Sequence, residues 1–414
     1  MSDEPVFDPA APGAPGVPGA PAAPGARARP RALVLALAFL AFISIGVPDA
    51  VMGVAWPSLR RDFDLPVSYL GQLLVSSTIG YLLSCFYGGA LLDRWGVGRI
   101  LLASSLAIVA VAANSALAVS WWAIVAAGLL SGLGAGAIDA GLNVFAARRC
   151  SPRVTSWLHA FYGVGAAAGP LLMSSVLVAG LSWRWGFAAV AALLLAMSIC
   201  FLCTLRLWSD DHAGAPAAAP GAAARTRAHA LRRPLVWMHA GLFFCYSGIE
   251  ATASQWAYSL LTEGRGMSPR LAGASASIFW IALTAGRVVF GQLAARVTPD
   301  AILRAALLTC PLAAALLWLD LSPAANIAAL ALLGLACAPI FPLLISITPA
   351  RVGDAHASHA IGFQVAAAYL GLAAIPGLTG VLARSCGLEV IALVITSSAL
   401  ATLLLHEAVL RRVR

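Results

Sequence analysis

Residues 132–143 read GLGAGAIDAGLN, and residues 334–345 read GLACAPIFPLLI. The two stretches lie 202 positions apart (334 − 132), each begins Gly-Leu inside a long apolar run, and Phe341 stands where the first carries Asp139. The same offset pairs Gly46 with Gly248, Gly89 with Gly291 and Arg94 with Arg296; further on it slips to 206, where Gly165 and Pro170 meet Gly371 and Pro376. The chain is therefore two related halves, and at this position only the first keeps an acid. An ionisable group within an apolar run of this length is a functional candidate by default, because charge at membrane depth is costly.

Composition sets the solvent. Of the 414 residues, 61% are hydrophobic and 10% charged, against about a quarter charged in soluble domains. Apolar runs of about 20 residues, enough to span a hydrocarbon core as helix, fall at 32–56, 68–92, 100–118, 121–147, 156–180, 185–207, 235–261, 271–295, 301–319, 324–348, 358–383 and 388–410. This predicts an all-α membrane protein of twelve transmembrane helices in two pseudo-symmetric six-helix bundles. The N-terminal bundle is expected at 32–208 and the C-terminal one at 234–414. Residues 1–31, repeating Ala-Pro-Gly, cannot bury a core and are expected to form a disordered cytoplasmic tail. Residues 209–233, rich in Ala, Pro, Gly and Arg, are expected to link the halves on the cytoplasmic side.

All 26 basic residues are arginine. With the N-terminus inside, nineteen fall on the inner side, six on the outer, and Arg287 within a span, so the positive-inside rule places both termini in the cytoplasm of a multi-pass protein of the bacterial inner membrane. Anionic lipid headgroups account for the net charge of +9 without nucleic acid. Trp121, Trp122, Trp183, Trp185 and Trp318 at outer ends, and Trp95, Trp157, Trp208 and Trp237 at inner ends, suggest interfacial aromatic belts. Cys200-x-x-Cys203 lies within the sixth span and does not read as a redox or metal pair. No nucleophile with its base, metal cluster or phosphate loop is found, which points away from an enzyme and from any cofactor.

Between the second and third spans the chain reads Gly88-Gly89-Ala90-Leu91-Leu92-Asp93-Arg94-Trp95-Gly96-Val97-Gly98-Arg99. Its glycines permit a tight turn and close helix approach, while Asp93 can cap a helix or pair with an arginine. This stretch resembles the cytoplasmic loop signature of the major facilitator superfamily, through Gly89, Asp93, Arg94, Gly96 and Arg99; Arg296 is kept in the second half and the aspartate is not. The resemblance implies that the loop is a conformational latch and the fold that of the superfamily. Spans four and five (Gly136 to Asn143; Leu158-His159-Ala160-Phe161-Tyr162-Gly163-Val164-Gly165; Gly169-Pro170), Gly248-Ile249-Glu250 with Trp256, Gly286-Arg287, Pro339-Ile340-Phe341-Pro342 and Gly362-Phe363-Gln364 are similar to the fucose permease-like branch.

In that branch sugar and proton symport is associated with acids on the first and fourth helices, positions matched here by Asp49 and Asp139. Independently, a carboxyl that alternates between a dry surround and water can take up a proton in one state and release it in the other. The bland reading of each acid is a structural pair or hydrogen bond. Asn143, one helical turn beyond Asp139, can bind a solute hydroxyl or orient Asp139. Glu250 is a further titratable candidate or the ion-pair partner of Arg287, the pair being favoured because a lone arginine at depth is costly. His159 can relay protons or sit wetted at an interface. Tyr162, Gln255, Trp256, Trp280 and Gln364 complete the candidate solute site, with Trp256 and Trp280 suited to sugar faces or to packing, and Gln364 to solute or to an interhelical bond. Pro48, Pro170, Pro339, Pro342 and Pro376 place kinks beside it.

The function expected is transport of a small polar solute, a sugar or polyol, by proton-coupled symport with alternating access, in a monomer whose partners are the solute, protons and lipid. A proton-driven drug or metabolite exporter of the same superfamily is the alternative; Gly165-x-x-x-Gly169-Pro170 is part of the antiporter signature, but Met173 and Ser174 replace its trailing glycines. A non-transporting membrane sensor or receptor is the third reading.

Overall fold

The computed structural model describes residues 32–150, 152–211, 233–293 and 296–413. The expected tail and residues 212–232 of the expected linker lie outside the described residues. Within the described residues twelve helices follow one another: α1 (Ala32–Asp62), α2 (70–95), α3 (97–117), α4 (Trp121–Arg149), α5 (Pro152–Val178), α6 (Trp183–Thr204), α7 (Pro234–Ser259), α8 (Pro269–Leu293), α9 (Pro299–Leu319), α10 (Pro323–Val352), α11 (Asp354–Cys386) and α12 (Val390–Val413). No strand occurs among the described residues. Helices α2 and α3 are limbs of one run, Leu70–Leu117, parted at Gly96 with φ 74° and ψ 163°. That left-handed backbone is open to glycine at little cost, so the turn foreseen over residues 88–99 contracts to one residue, and Gly89, Asp93 and Arg94 ride on the last turns of α2. Helix α10 is in two pieces, Pro323–Cys337 and Ile340–Val352, interrupted at Pro339.

Eleven of these helical segments are long and apolar enough to cross a membrane. The exception is α7, which has the length but carries Tyr246, Ser247, Glu250, Thr252, Ser254 and Gln255. It can be polar because it is central: it packs on α11, α12 and α1, and both His239 and Thr252 are fully buried. Protein, not lipid, is its main solvent.

The two halves use one set of contacts. Gly132 of α4 lies against Ser77 and Tyr81 of α2, and Gly334 of α10 against Phe279 and Leu283 of α8, each partner shifted by the same 202 positions (77 + 202 = 279; 81 + 202 = 283). Likewise Gly165 of α5 meets Ile43 of α1, and Gly371 of α11 meets Phe244 of α7. Between bundles the pairings are α5 with α8, α2 with α11, and α1 with α7, the set a pseudo-twofold axis requires. Where α1 ends and α2 begins, the bundles touch closely: Gly53 against Ser254 and Gln255, Gly71 against Gly377, Gly273 against Ser174, with Arg60 bonded to Glu263 at 2.8 Å.

The tryptophans divide. Trp122, Trp185, Trp318, Trp95, Trp157 and Trp237 are exposed, as belts require, but Trp121, Trp183 and Trp208 are buried. Trp183 donates to Asp62 at 2.7 Å, Trp121 to Gln72 at 2.8 Å, and Trp208 packs against Phe145 and Phe201. Each lies at a helix end where a neighbouring helix, rather than lipid, covers the ring.

Candidate functional site

Along α1, Asp49 is the one exposed residue between Ala41 and Arg60. It lies about 20 Å up the helix from Asp62, taking 1.5 Å per residue, so its exposure is to a space between the bundles. Tyr162 of α5 donates to Asp49 Oδ2 at 2.8 Å, and Gln255 of α7 donates to the Asp49 carbonyl at 2.9 Å. Among the described residues Asp49 Oδ1 has no partner. Asp139 is differently placed: Tyr81 of α2 donates to Oδ2 at 2.7 Å and Asn143 Nδ2 to Oδ1 at 3.0 Å. Both of its oxygens are engaged. The amide of Asn143 is thus spent on orienting Asp139, the second of its two readings.

Glu250 accepts from Tyr246, one turn earlier on α7. The expected ion pair with Arg287 is not formed: among the described residues Arg287 makes no ion pair and no hydrogen bond, and Glu250 is held instead by Tyr246 of its own helix. These three carboxylates at membrane depth are therefore all held by tyrosine hydroxyls. Tyr246 could have been found by its i, i+4 spacing from Glu250. Tyr81, 58 positions from Asp139, could not.

The tyrosines also tie the acids to the opposite bundle. Tyr81 stacks on Tyr369 of α11 with centroids 3.7 Å apart, and Tyr162 meets Trp280 of α8 edge to face at 6.0 Å. Trp280 in turn donates to Ser254 at 3.2 Å. Tyr369 and Thr284, whose side chain abuts Gly163, join the site without having been singled out by sequence, and Ser254 joins it from the face of α7 it shares with Glu250. His159 is half-buried against Phe42, at 5.0 Å between centroids, and lies within the electrostatic reach of both Asp139 and Arg287.

Two candidates leave the site. Trp256 is fully buried and donates to the Pro376 carbonyl at 3.0 Å, filling the α7–α11 seam where Gly380 makes room for it. Gln364 is fully buried and bonds Thr348 at 2.9 Å, an interhelical link between α11 and α10. Neither can present a polar group to a solute without breaking that bond. The loop residues Asp93, Arg94, Arg99 and Arg296 are exposed, and among the described residues Asp93 pairs with no arginine; the latch contact expected of it is not made here. An apolar groove of about 520 Å³ between α2, α3 and α4 holds none of the three carboxylates.

The twelve helices in two pseudo-symmetric halves agree with the family comparison: residues 34–376 fit the Major Facilitator Superfamily. The chain belongs to that superfamily. It is a multi-pass membrane transporter by family. It is 24% identical over 390 residues to bypass of stop codon protein 6 of Saccharomyces cerevisiae, covering 85% of this chain and 77% of that one. It is 24% identical over 290 residues to sodium-dependent glucose transporter 1A of Mus musculus, covering 58% of this chain and 64% of that one. In fold it is similar to the crystal structure of a point mutant of the nucleoside transporter NupG, with TM-score 0.75, 14% identity and coverage of 91% of this chain and 99% of that one. It is also similar to the transporter FucP in the outward conformation, with TM-score 0.61, 15% identity and the same coverage.

Proposed function

We propose that this transporter moves a small polar solute of the sugar or polyol class by alternating access, coupled to proton symport, with Asp49 and Asp139 as the proton-carrying groups. The observation that carries the reading is the contrast between the two acids. Asp49 keeps one carboxylate oxygen unengaged in the space between bundles, whereas Asp139 has both oxygens held and is tied through Tyr81 and Tyr369 to the other bundle. Protonation of the first requires no bond to break. Protonation of the second weakens the bonds that Tyr81 and Asn143 donate to it, and Tyr81 is also the ring stacked on the other bundle, so proton uptake there can be felt across the bundles. Relatives whose names assign them to glucose support the sugar class. Tyr162, Gln255, Trp280 and Glu250 are proposed to shape the solute site, Asn143 to orient Asp139, His159 to pass protons, and the 88–99 loop to latch the bundles. Residence in a bacterial inner membrane as a monomer, both termini cytoplasmic, belongs to the same proposal.

The glycine-proline segment of α5 lends exporters no support: Gly165 and Gly169 pack on the α1 backbone, and Gly371 does the same for α7. They are scaffold shared by both halves. The test is purified protein in liposomes with a pH-sensitive dye inside and an imposed solute gradient. Solute-driven proton entry supports symport; solute movement with no proton flux, or with opposite flux, overturns it.

A further inference from the structure

Among the described residues Arg287 makes no ion pair and no hydrogen bond. It lies on α8 one turn beyond Thr284, which abuts Gly163 of α5, and two turns beyond Trp280, which meets Tyr162. Residues 280, 284 and 287 share one helix face, which places Arg287 just past the close approach of α5 and α8 at Gly163 and Thr284. It is half-buried. Asp139 and Arg287 each stand eighteen residues from the ends of α4 (139 − 121) and α8 (287 − 269) at which the bundles touch, about 27 Å down at 1.5 Å per residue. They thus lie at a similar depth along their helices.

An arginine carries five N–H donors in a planar fork matched to a carboxylate, and holding that charge at membrane depth without a partner is costly. Among the described residues neither nearby carboxylate pairs with it: Tyr246 donates to Glu250, and Tyr81 and Asn143 donate to Asp139. We propose that Arg287 is a specificity-determining residue that receives the carboxylate of an acidic solute, so that the cargo is a sugar acid or a similarly hydroxylated carboxylate. This rests on the transport reading above and narrows it. The hydroxylated body of such a solute would lie toward Trp280, Tyr162 and Gln255, with its acid group one to two helical turns further along α8. The division of labour is consistent: the solute anion is met by Arg287, while Asp49 and Asp139 remain free to carry protons.

The test uses the purified full-length protein and matched pairs at equal ionic strength: D-glucuronate with D-glucose, D-galacturonate with D-galactose, D-gluconate with D-glucitol. Thermal unfolding is followed first, then proton entry in liposomes. At least one acid should raise the unfolding midpoint with its neutral partner inert. Arg287→Gln should weaken that acid roughly 10- to 100-fold, as loss of charge-assisted hydrogen bonds implies, and Arg287→Lys should weaken it less. Because Arg287 holds no protein group among the described residues, Arg287→Gln should unfold at the parent temperature without solute. A neutral sugar that binds and drives proton entry while its acid does not would overturn this proposal and leave symport standing. An acid that stabilises Arg287→Gln as well as the parent would also overturn it. Silence of all six solutes would sink both this proposal and the sugar reading.

Discussion

Gly53 offers the sharpest test of whether the contact between α1 and α7 belongs to one state of a cycle. A Cβ placed there would lie 2.7 Å from the Ser254 carbonyl oxygen and 2.9 Å from Gln255 Cα, whereas carbon contacts are comfortable at about 3.5–4.0 Å. The obstacles are backbone, so neither can rotate aside, and relief needs α1 and α7 to part by about 1 Å, the shortfall from that comfortable distance. Overpacking of this kind costs about 1–3 kcal/mol. The cost falls only on the state in which the two helices touch, so Gly53→Ala should shift the equilibrium toward the opposite state by roughly 5- to 150-fold. Val119 and Leu321, 93% and 66% exposed and related by the 202-residue offset (119 + 202 = 321), sit in different bundles at the touching end. Spin labels at these sites in a cysteine-depleted background report the separation by pulsed electron resonance. A longer-distance population should grow in Gly53→Ala and not in Gly362→Ala, where an added Cβ meets nothing. An unchanged distance distribution in Gly53→Ala would refute the reasoning.

Three further outcomes are expected. Asp139→Asn should abolish solute accumulation driven by a proton gradient while leaving solute exchange between equal pools measurable; accumulation that persists in this variant removes Asp139 from coupling. Gln364→Leu should lower the unfolding midpoint, through loss of a buried hydrogen bond worth about 1 kcal/mol, and leave the apparent KM of transport unchanged. A raised KM would return Gln364 to the solute site. Trp208→Ala removes a buried ring packed on Phe145 and Phe201 and should cost about 3–5 kcal/mol in reversible unfolding, against little change for exposed Trp122.

Much of this protein was readable from the chain. Periodicity at 202 residues exposed the two halves, and four of the glycines that mark it, Gly46, Gly132, Gly248 and Gly334, proved to be points where helices touch, whereas Gly291 meets nothing. The acids of α1 and α4 stood out because a charge in an apolar run has few innocent explanations. Where the reading failed, it failed on partners. Glu250 and Arg287 looked complementary and do not meet; Trp256 and Gln364 looked available and are consumed in helix seams; Trp121, Trp183 and Trp208 looked interfacial and are covered by neighbours.

The physical reason is that residue type and spacing along one helix determine which face a side chain shares, but not what the neighbouring helix brings opposite it. Asp139 and Tyr81 are 58 positions apart, Asp49 and Tyr162 113, and their meeting depends on helix rotation and crossing, which local pattern does not encode. Pattern along the chain was enough for a twofold membrane scaffold with acids at depth. That each of the three acids at depth is held by a tyrosine, and that among the described residues Arg287 is left without a partner, became visible only in three dimensions, because such pairings are decided once the helices have packed.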